Sequence, residues 1–208
     1  MSIRTVSFLT RAAFTASALG IAFTSRAAVA QAAASQPRTW EARVTSGALV
    51  PTGGQRDFLA DAQLTAIQVS RVLRPSLAIT GTFGWARSRD VAAVANPKLD
   101  VFTSDVGIEL RPRQWFAARG VTFDAFAGVG AGARSYNYRK LDEPATHNLA
   151  GYGALGGELG MGRVGLRVEV RDYVSGFKPL SSAGESRPRN DVIITAALRF
   201  KRHRVPQN

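Results

Sequence analysis

The residues able to carry out acid–base, nucleophilic or metal chemistry are few in this chain. It has two histidines, His147 and His203, and no cysteine, which excludes a disulfide scaffold, thiolate metal sites and a cysteine nucleophile. His147 lies near Asp142 and Glu143, and Ser181 and Ser182 fall in a later polar segment. A hydrolase would need a nucleophile, a base and an orienting group from these to converge. No local motif fixes that geometry, so His147 is expected to be a solvated loop residue, and His203 sits in a basic tail. Gly128-x-Gly130-x-Gly132 falls inside an extended segment and does not open a helix, so it is not a phosphate cradle. The expectation is therefore no enzyme, no catalytic residue, no metal site and no cofactor.

What remains is charge with a period of two. Arg167, Glu169 and Arg171 alternate with Leu166, Val168 and Val170. Asp105, Glu109 and Arg111 alternate with Phe102, Val106, Ile108 and Leu110, and Asp124 and Arg134 share a phase opposite Val121, Phe123 and Val129. The elements that hold such side chains are strands with unlike faces. The pattern predicts eight of them, at 38–49, 62–71, 76–87, 99–111, 121–139, 148–161, 164–177 and 190–200. Each of the 9 prolines is expected outside these strands, with Pro112 directly after one. Connections at 50–61, 88–98, 140–147 and 178–189 are long, and those at 72–75, 112–120 and 162–163 are mostly short, the exception being the one around Trp115. Strand 62–71 breaks the phase, since Leu64 and Ala66 oppose Ile67 and Val69, which implies a bulge near Ala66.

The first thirty residues are set apart from this pattern. Arg4 and Arg11, the apolar run Ala12 to Phe23 and the small-x-small sequence Ala28-Val29-Ala30 read as a cleaved signal peptide over 1–30. The apolar run is too short to cross roughly 30 Å of hydrocarbon as a helix. A short segment 31–37, the strand region 38–200 and a basic tail 201–208 follow.

An exported all-β chain of this kind is either soluble or a membrane barrel, and the two differ in which face is polar. An arginine turned toward lipid at mid-depth costs roughly 2–4 kcal/mol, so in a membrane barrel the charged faces must line the interior. The inward set is then Glu41, Asp105, Glu109, Asp124, Glu158 and Glu169 with Arg43, Arg111, Arg134, Arg167, Arg171 and Arg199. Six acids meet six arginines, and in a narrow eight-stranded lumen they are expected to pair. Gly128, Gly130, Gly132, Gly156 and Gly160 on the same faces either leave room for the arginines or mark bends in the sheet. Aromatic residues form two bands, Trp40, Trp115, Phe116, Phe123 and Phe200 on the side of the short turns and Phe83, Trp85, Phe102, Tyr138, Tyr173 and Phe177 on the side of the long loops.

The formal charge of +12 invites a nucleic-acid reading, but its distribution argues otherwise. The lumen set is neutral, and the loop side balances nine bases against nine acids. The excess falls on the turn side, on Arg38, Arg71, Arg74, Arg113, Arg119, Arg163, Lys201, Arg202 and Arg204. Both termini lie there, so this ring is expected at the periplasmic rim, against lipid headgroups. No basic-aromatic module stands apart from the barrel, so no nucleic-acid partner is expected.

With a signal peptide, eight alternating strands, a charged lumen and a last strand ending Leu198-Arg199-Phe200, the chain resembles the small OmpA/OmpX-type outer-membrane barrels over residues 38–200. The resemblance implies an all-β, eight-stranded antiparallel up-and-down transmembrane β-barrel, a meander, in the outer membrane of a Gram-negative-type cell. It implies outer-membrane lipids, the barrel-assembly machinery and periplasmic chaperones as partners. Val192, Ile194, Ala196, Leu198 and Phe200 match the family's assembly signal, although eight residues follow Phe200 where the family's signal is usually terminal. The expected role is structural or surface-interacting, as a monomer. Two alternatives stay open: a narrow porin-like channel, and a soluble lipocalin-like binder, which would need an apolar cavity.

Overall fold

A computed structural model describes residues 40–111, 116–161, 164–180 and 187–200. The predicted leader, Arg38, Arg113, Trp115, Arg163, Ser181, Ser182 and the tail with Lys201, Arg202 and Arg204 lie outside these residues. So do the side chains of Phe116 and Phe200.

The period-two sequence folds as strands β1 (Trp40–Pro51), β2 (Ala62–Arg74), β3 (Leu77–Arg89), β4 (Lys98–Leu110), β5 (Phe116–Ala118), β6 (Val121–Tyr138), β7 (Thr146–Met161), β8 (Val164–Phe177) and β9 (Arg187–Phe200). Sequential neighbours other than β4 and β5 pair antiparallel, β4 pairs with β6 instead, and β9 returns to β1. The eight long strands therefore close into an up-and-down barrel without a free edge. The ninth, β5, accounts for the long connection around Trp115. It pairs Phe116 with Phe123 and Ala118 with Val121, extending the β6 hairpin past the barrel rim. Its turn residues Arg119 and Gly120 have φ of 49° and 81°, the two positive values that a twisted two-residue hairpin turn requires.

Two expectations need correction. Strand β2 has no bulge at Ala66: burial alternates without a break from Ala62 to Arg71, and the pairing with β3 runs evenly from Leu64 to Val72. The register shift lies lower, between Val72 and Arg74. Leu64 and Ala66 face inward because the loop-side half of the interior is apolar, whereas Ile67 and Val69 face outward. Two prolines also lie inside strands, Pro51 opposite Asp191 and Pro188 opposite Gly176. Both sit at strand ends, where a missing N–H is tolerated.

That apolar half is built from Leu49, Leu64, Leu99, Val101, Tyr136, Tyr173, Phe177 and Ile193, together with Leu59 from the β1–β2 loop. The loop folds down over the mouth, and Leu59 bridges to Asp90. Val91 N donates to Phe58 O at 2.9 Å, and Ala60 N to Arg89 O at 3.0 Å. Asp90 is fully buried and ties the mouth together, accepting Tyr138 Oη at 2.7 Å, Leu180 N at 3.2 Å and Ala92 N at 3.1 Å. A carboxylate removed from water is satisfied in this way by donors from three chain segments.

Candidate functional site

Side chains alternate across each strand, so the phase of the sequence decides what enters the lumen. Outward-facing Val106 and Leu155 are 62% and 68% exposed, while inward-facing Arg134 is 0% exposed. The barrel is apolar outside and ionic inside, the reverse of a barrel made for water.

Ten of the twelve predicted lumenal residues form one continuous ionic chain. Asp105 accepts Arg171 Nη1 at 3.0 Å, and Arg171 also pairs with Glu169. Glu169 accepts Arg167 Nη2 at 2.7 Å, and the same nitrogen reaches Glu109 at 2.6 Å. Glu109 holds Arg111 at 2.6 Å, and Arg111 reaches Glu41 at 3.0 Å. Glu41 gathers Arg43 at 2.8 Å and Arg199 at 2.9 Å, and Arg199 closes the chain on Glu158 at 3.0 Å. Five carboxylates and five guanidiniums alternate, so each charge has an opposite neighbour. This alternation offsets the desolvation that would make any one of them prohibitive alone.

The other two residues behave differently. Arg134 is paired with Asp191, one of the nine loop-side acids, which the fold buries fully near the start of β9. Asp124 joins no ion pair among the described residues. It lies near the turn-side end of β6 opposite Glu158, a like charge that Arg199 already holds. Its half-exposed position lets water do what an arginine would do deeper in the lumen.

Sequence reasoning missed the aromatic lining. Arg167 stacks on Phe126, with 3.4 Å from Cζ to the ring centroid, Arg171 on Tyr152 at 4.7 Å and Arg134 on Tyr173 at 4.6 Å. Each guanidinium thus has a ring face as well as a carboxylate, and both are favourable to a cation. The signal was present: Phe126 shares the phase of Asp124 and Arg134, and Tyr173 that of Arg171. Tyr138, Tyr173 and Phe177 accordingly leave the predicted outer band, since all three point inward and are buried. Outward aromatics are Trp40 and Phe123 near the turns and Phe83, Trp85 and Phe102 near the loops.

The glycines make room for rings and strand neighbours. A Cβ on Gly130 would meet the Tyr152 ring at 2.5 Å, one on Gly107 would meet the same phenol, and one on Gly156 would strike Phe126. A Cβ on Gly132 would press on Asp105. Between the ionic chain and the apolar cap lies a polar layer that includes Thr45, Gln68, Thr82, Thr103 and Thr195. The cavity it borders measures about 20 Å³, the space of about one water.

Outside the lumen, His147 Nδ1 lies 2.7 Å from Ser135 Oγ, a pair on the outer wall between β6 and β7. Among the described residues neither Asp142 nor Glu143 bonds to it, and no cluster of metal ligands occurs. On β9, Ile194, Ala196 and Leu198 are exposed on the outer wall with the half-buried Val192, and Phe200 continues the strand opposite Val164. Of the turn-side cations, Arg71, Arg74 and Arg119 are exposed, and Arg71 lies 5.6 Å from the ring of its register partner Trp40.

No family model and no curated protein matches the chain. Solved structures similar to it include Neisserial surface protein A, at 11% identity and a TM-score of 0.46, covering 78% of this chain and 99% of that one. Outer membrane protein AlkL in DMPC lipid bilayers is 13% identical with a TM-score of 0.45, over 88% of this chain and 100% of its own. Ail, the attachment invasion locus protein of Yersinia pestis, in complex with the heparin analogue sucrose octasulfate, is 11% identical with a TM-score of 0.42, over 76% and 97%.

Proposed function

We propose that the protein is an integral outer-membrane barrel with a structural or surface-interaction role and a plugged lumen. The observation that carries this is the inversion of polarity around the wall: Val44, Val106, Ile108, Val129, Leu155 and Leu198 are exposed, and the ionic chain is sequestered behind them. In water such a surface would leave large apolar patches unpaired, and in a bilayer it is the solvated state. A conducting channel is disfavoured because the section of the lumen above the ionic chain is filled by Leu49, Leu59, Leu99, Val101 and Phe177, none more than 1% exposed. A soluble binder is disfavoured because the cavity bordered by the polar layer has room for about one water, too little for an apolar ligand.

The same reading takes residues 1–30 as a leader removed on export, and 31–37 and 201–208 as flanks of the barrel. It takes the outward row Val192, Ile194, Ala196, Leu198 and Phe200 as the segment engaged by the assembly machinery. The turn-side arginines contact inner-leaflet headgroups. Among the described residues no acid bonds to the Ser135–His147 pair to orient it, so it is assigned no catalysis. Cell fractionation tests the core of the proposal. The chain is expected in the outer-membrane fraction, extractable only with detergent, and recovery in plain buffer overturns it.

A further inference from the structure

The loop-side rim carries as many acids as bases in sequence, but the fold separates them. Asp90 and Asp191 are withdrawn into the interior, bound to Tyr138 and Arg134. The cations gather on three adjacent strands. Arg89 is the register partner of Lys98, Arg87 that of Asp100, and Arg139 N donates to Lys98 O at 2.9 Å. Lys140 follows in the next loop. Arg87, Arg89 and Lys98 lie on the outward phase of β3 and β4, with Lys98 one strand spacing and Arg89 two strand spacings, about 10 Å, from Arg139. Arg87, Arg89, Lys98 and Lys140 are exposed, and none forms an ion pair among the described residues.

The one carboxylate inside the group is already committed. Asp100 accepts Arg139 Nε at 2.6 Å, Arg139 Nη2 at 2.8 Å and Trp85 Nε1 at 3.0 Å. Arg87 in turn stacks on the Trp85 ring at 4.2 Å. Asp142 and Glu143 follow Lys140 in the loop, so the sector holds five cations against three carboxylates. Directly below, on the same wall, come the outward rings of Phe83 and Phe102, 6.3 Å apart. The sequence of zones is thus apolar wall, ring layer, fixed tryptophan, then unpaired cations. That is the profile of lipid from tail through glycerol or sugar to phosphate.

We infer that the β3–β4–β6 sector of the loop-side rim is a binding site for the phosphate groups of anionic lipid in the loop-side leaflet. The inference rests on the membrane reading above and adds a site to it. Arg87, Arg89, Lys98 and Lys140 contact phosphate, while Asp100 is a positioning residue that fixes Trp85 and Arg139 at the interface.

The test uses the full mature chain and diphosphoryl lipid A as the phosphate-bearing probe, with the same lipid stripped of both phosphates as control. Uptake into neutral phosphatidylcholine vesicles is measured first. Lipid adducts are then counted by native mass spectrometry for the unaltered protein, for the loop-side variant Arg87→Gln/Arg89→Gln/Lys98→Gln/Lys140→Gln, and for Arg56→Gln/Lys178→Gln, which removes two exposed cations outside the sector. The unaltered protein and the Arg56→Gln/Lys178→Gln variant are expected to prefer the phosphorylated lipid by about tenfold or more, and the loop-side variant to lose that preference. A salt titration of the unaltered protein gives a second readout that needs no variant to fold: the preference should fall as salt screens the cations. Entry into neutral vesicles with no phosphate preference, or a preference untouched in the loop-side variant, overturns the site and leaves the membrane reading standing. A chain that stays in plain buffer overturns both.

Discussion

At the scale of single residues, the lumen makes opposite demands on two aspartates. Asp191 is sealed against Arg134, whereas Asp124 is half-exposed near the turn side. Removing Asp191 leaves a guanidinium that is 0% exposed with the face of Tyr173 and the hydroxyl of Tyr136, but no carboxylate, for compensation. Asp191→Ala is therefore expected to destabilise the barrel by about 3–5 kcal/mol, and Asp191→Ala/Arg134→Leu to recover much of that loss. Asp124→Ala should stay within about 0.5 kcal/mol. Urea unfolding of the vesicle-inserted barrel measures all three, and equal effects of the two single substitutions would show that burial does not govern these charges. Gly130 makes a second demand, since the Tyr152 ring fills the place of a side chain there. Gly130→Ala should cost about 1–3 kcal/mol by overpacking, and a background of Tyr152→Leu should relieve it. If the cost persists in that background, the glycine serves the curvature of the sheet, the reading that competed with space-making when only sequence was considered.

At the scale of the strand, phase is the quantity under test. In β8, Arg167, Glu169 and Arg171 face in, and Val168 and Val170 face out. Because the chain has no cysteine, single cysteines report each face without background. Val168→Cys in vesicles is expected to react with a lipid-soluble maleimide and not a water-soluble one, and Val170→Arg to cost roughly 2–4 kcal/mol. Labelling of Val168→Cys by the water-soluble reagent alone would reverse the assignment of inside and outside. This much was legible in sequence, because strand eight alternates charge with valine and leaves only one way to face lipid. Strand two was misread because its inward face changes character along its length, from Leu64 and Ala66 under the loops to Gln68 and Ser70 lower down. A rule that equates apolar with outward fails where a barrel has its own small hydrophobic core. The partner of Arg134 was illegible for a different reason: Asp191 reaches it across the lumen from β9, a proximity set by closure of the sheet and by no local spacing.

At the scale of the whole molecule, the interior has two different stoppers in series. The lower is the ionic chain from Asp105 to Glu158. The upper is the apolar cap in which Leu59 and Phe177 pack beneath loops held by Asp90. Either one suffices to block ions, the first by filling the section with paired side chains and the second by presenting no polar surface to a hydrated ion. Reconstituted in a planar bilayer, the unaltered barrel is therefore expected to be silent. Arg167→Ala/Glu109→Ala loosens only the lower stopper and should remain silent although it lowers stability. Leu59→Ser/Asp90→Ala loosens only the upper one and should also remain silent, with faster amide exchange at Tyr138 and Leu180 as the sign that the loops have lifted. Steady single-channel openings are expected only when both pairs are changed together. Openings in either pair alone would mean that the stoppers are not independent, and openings in the unaltered protein would restore the channel as the function of the lumen.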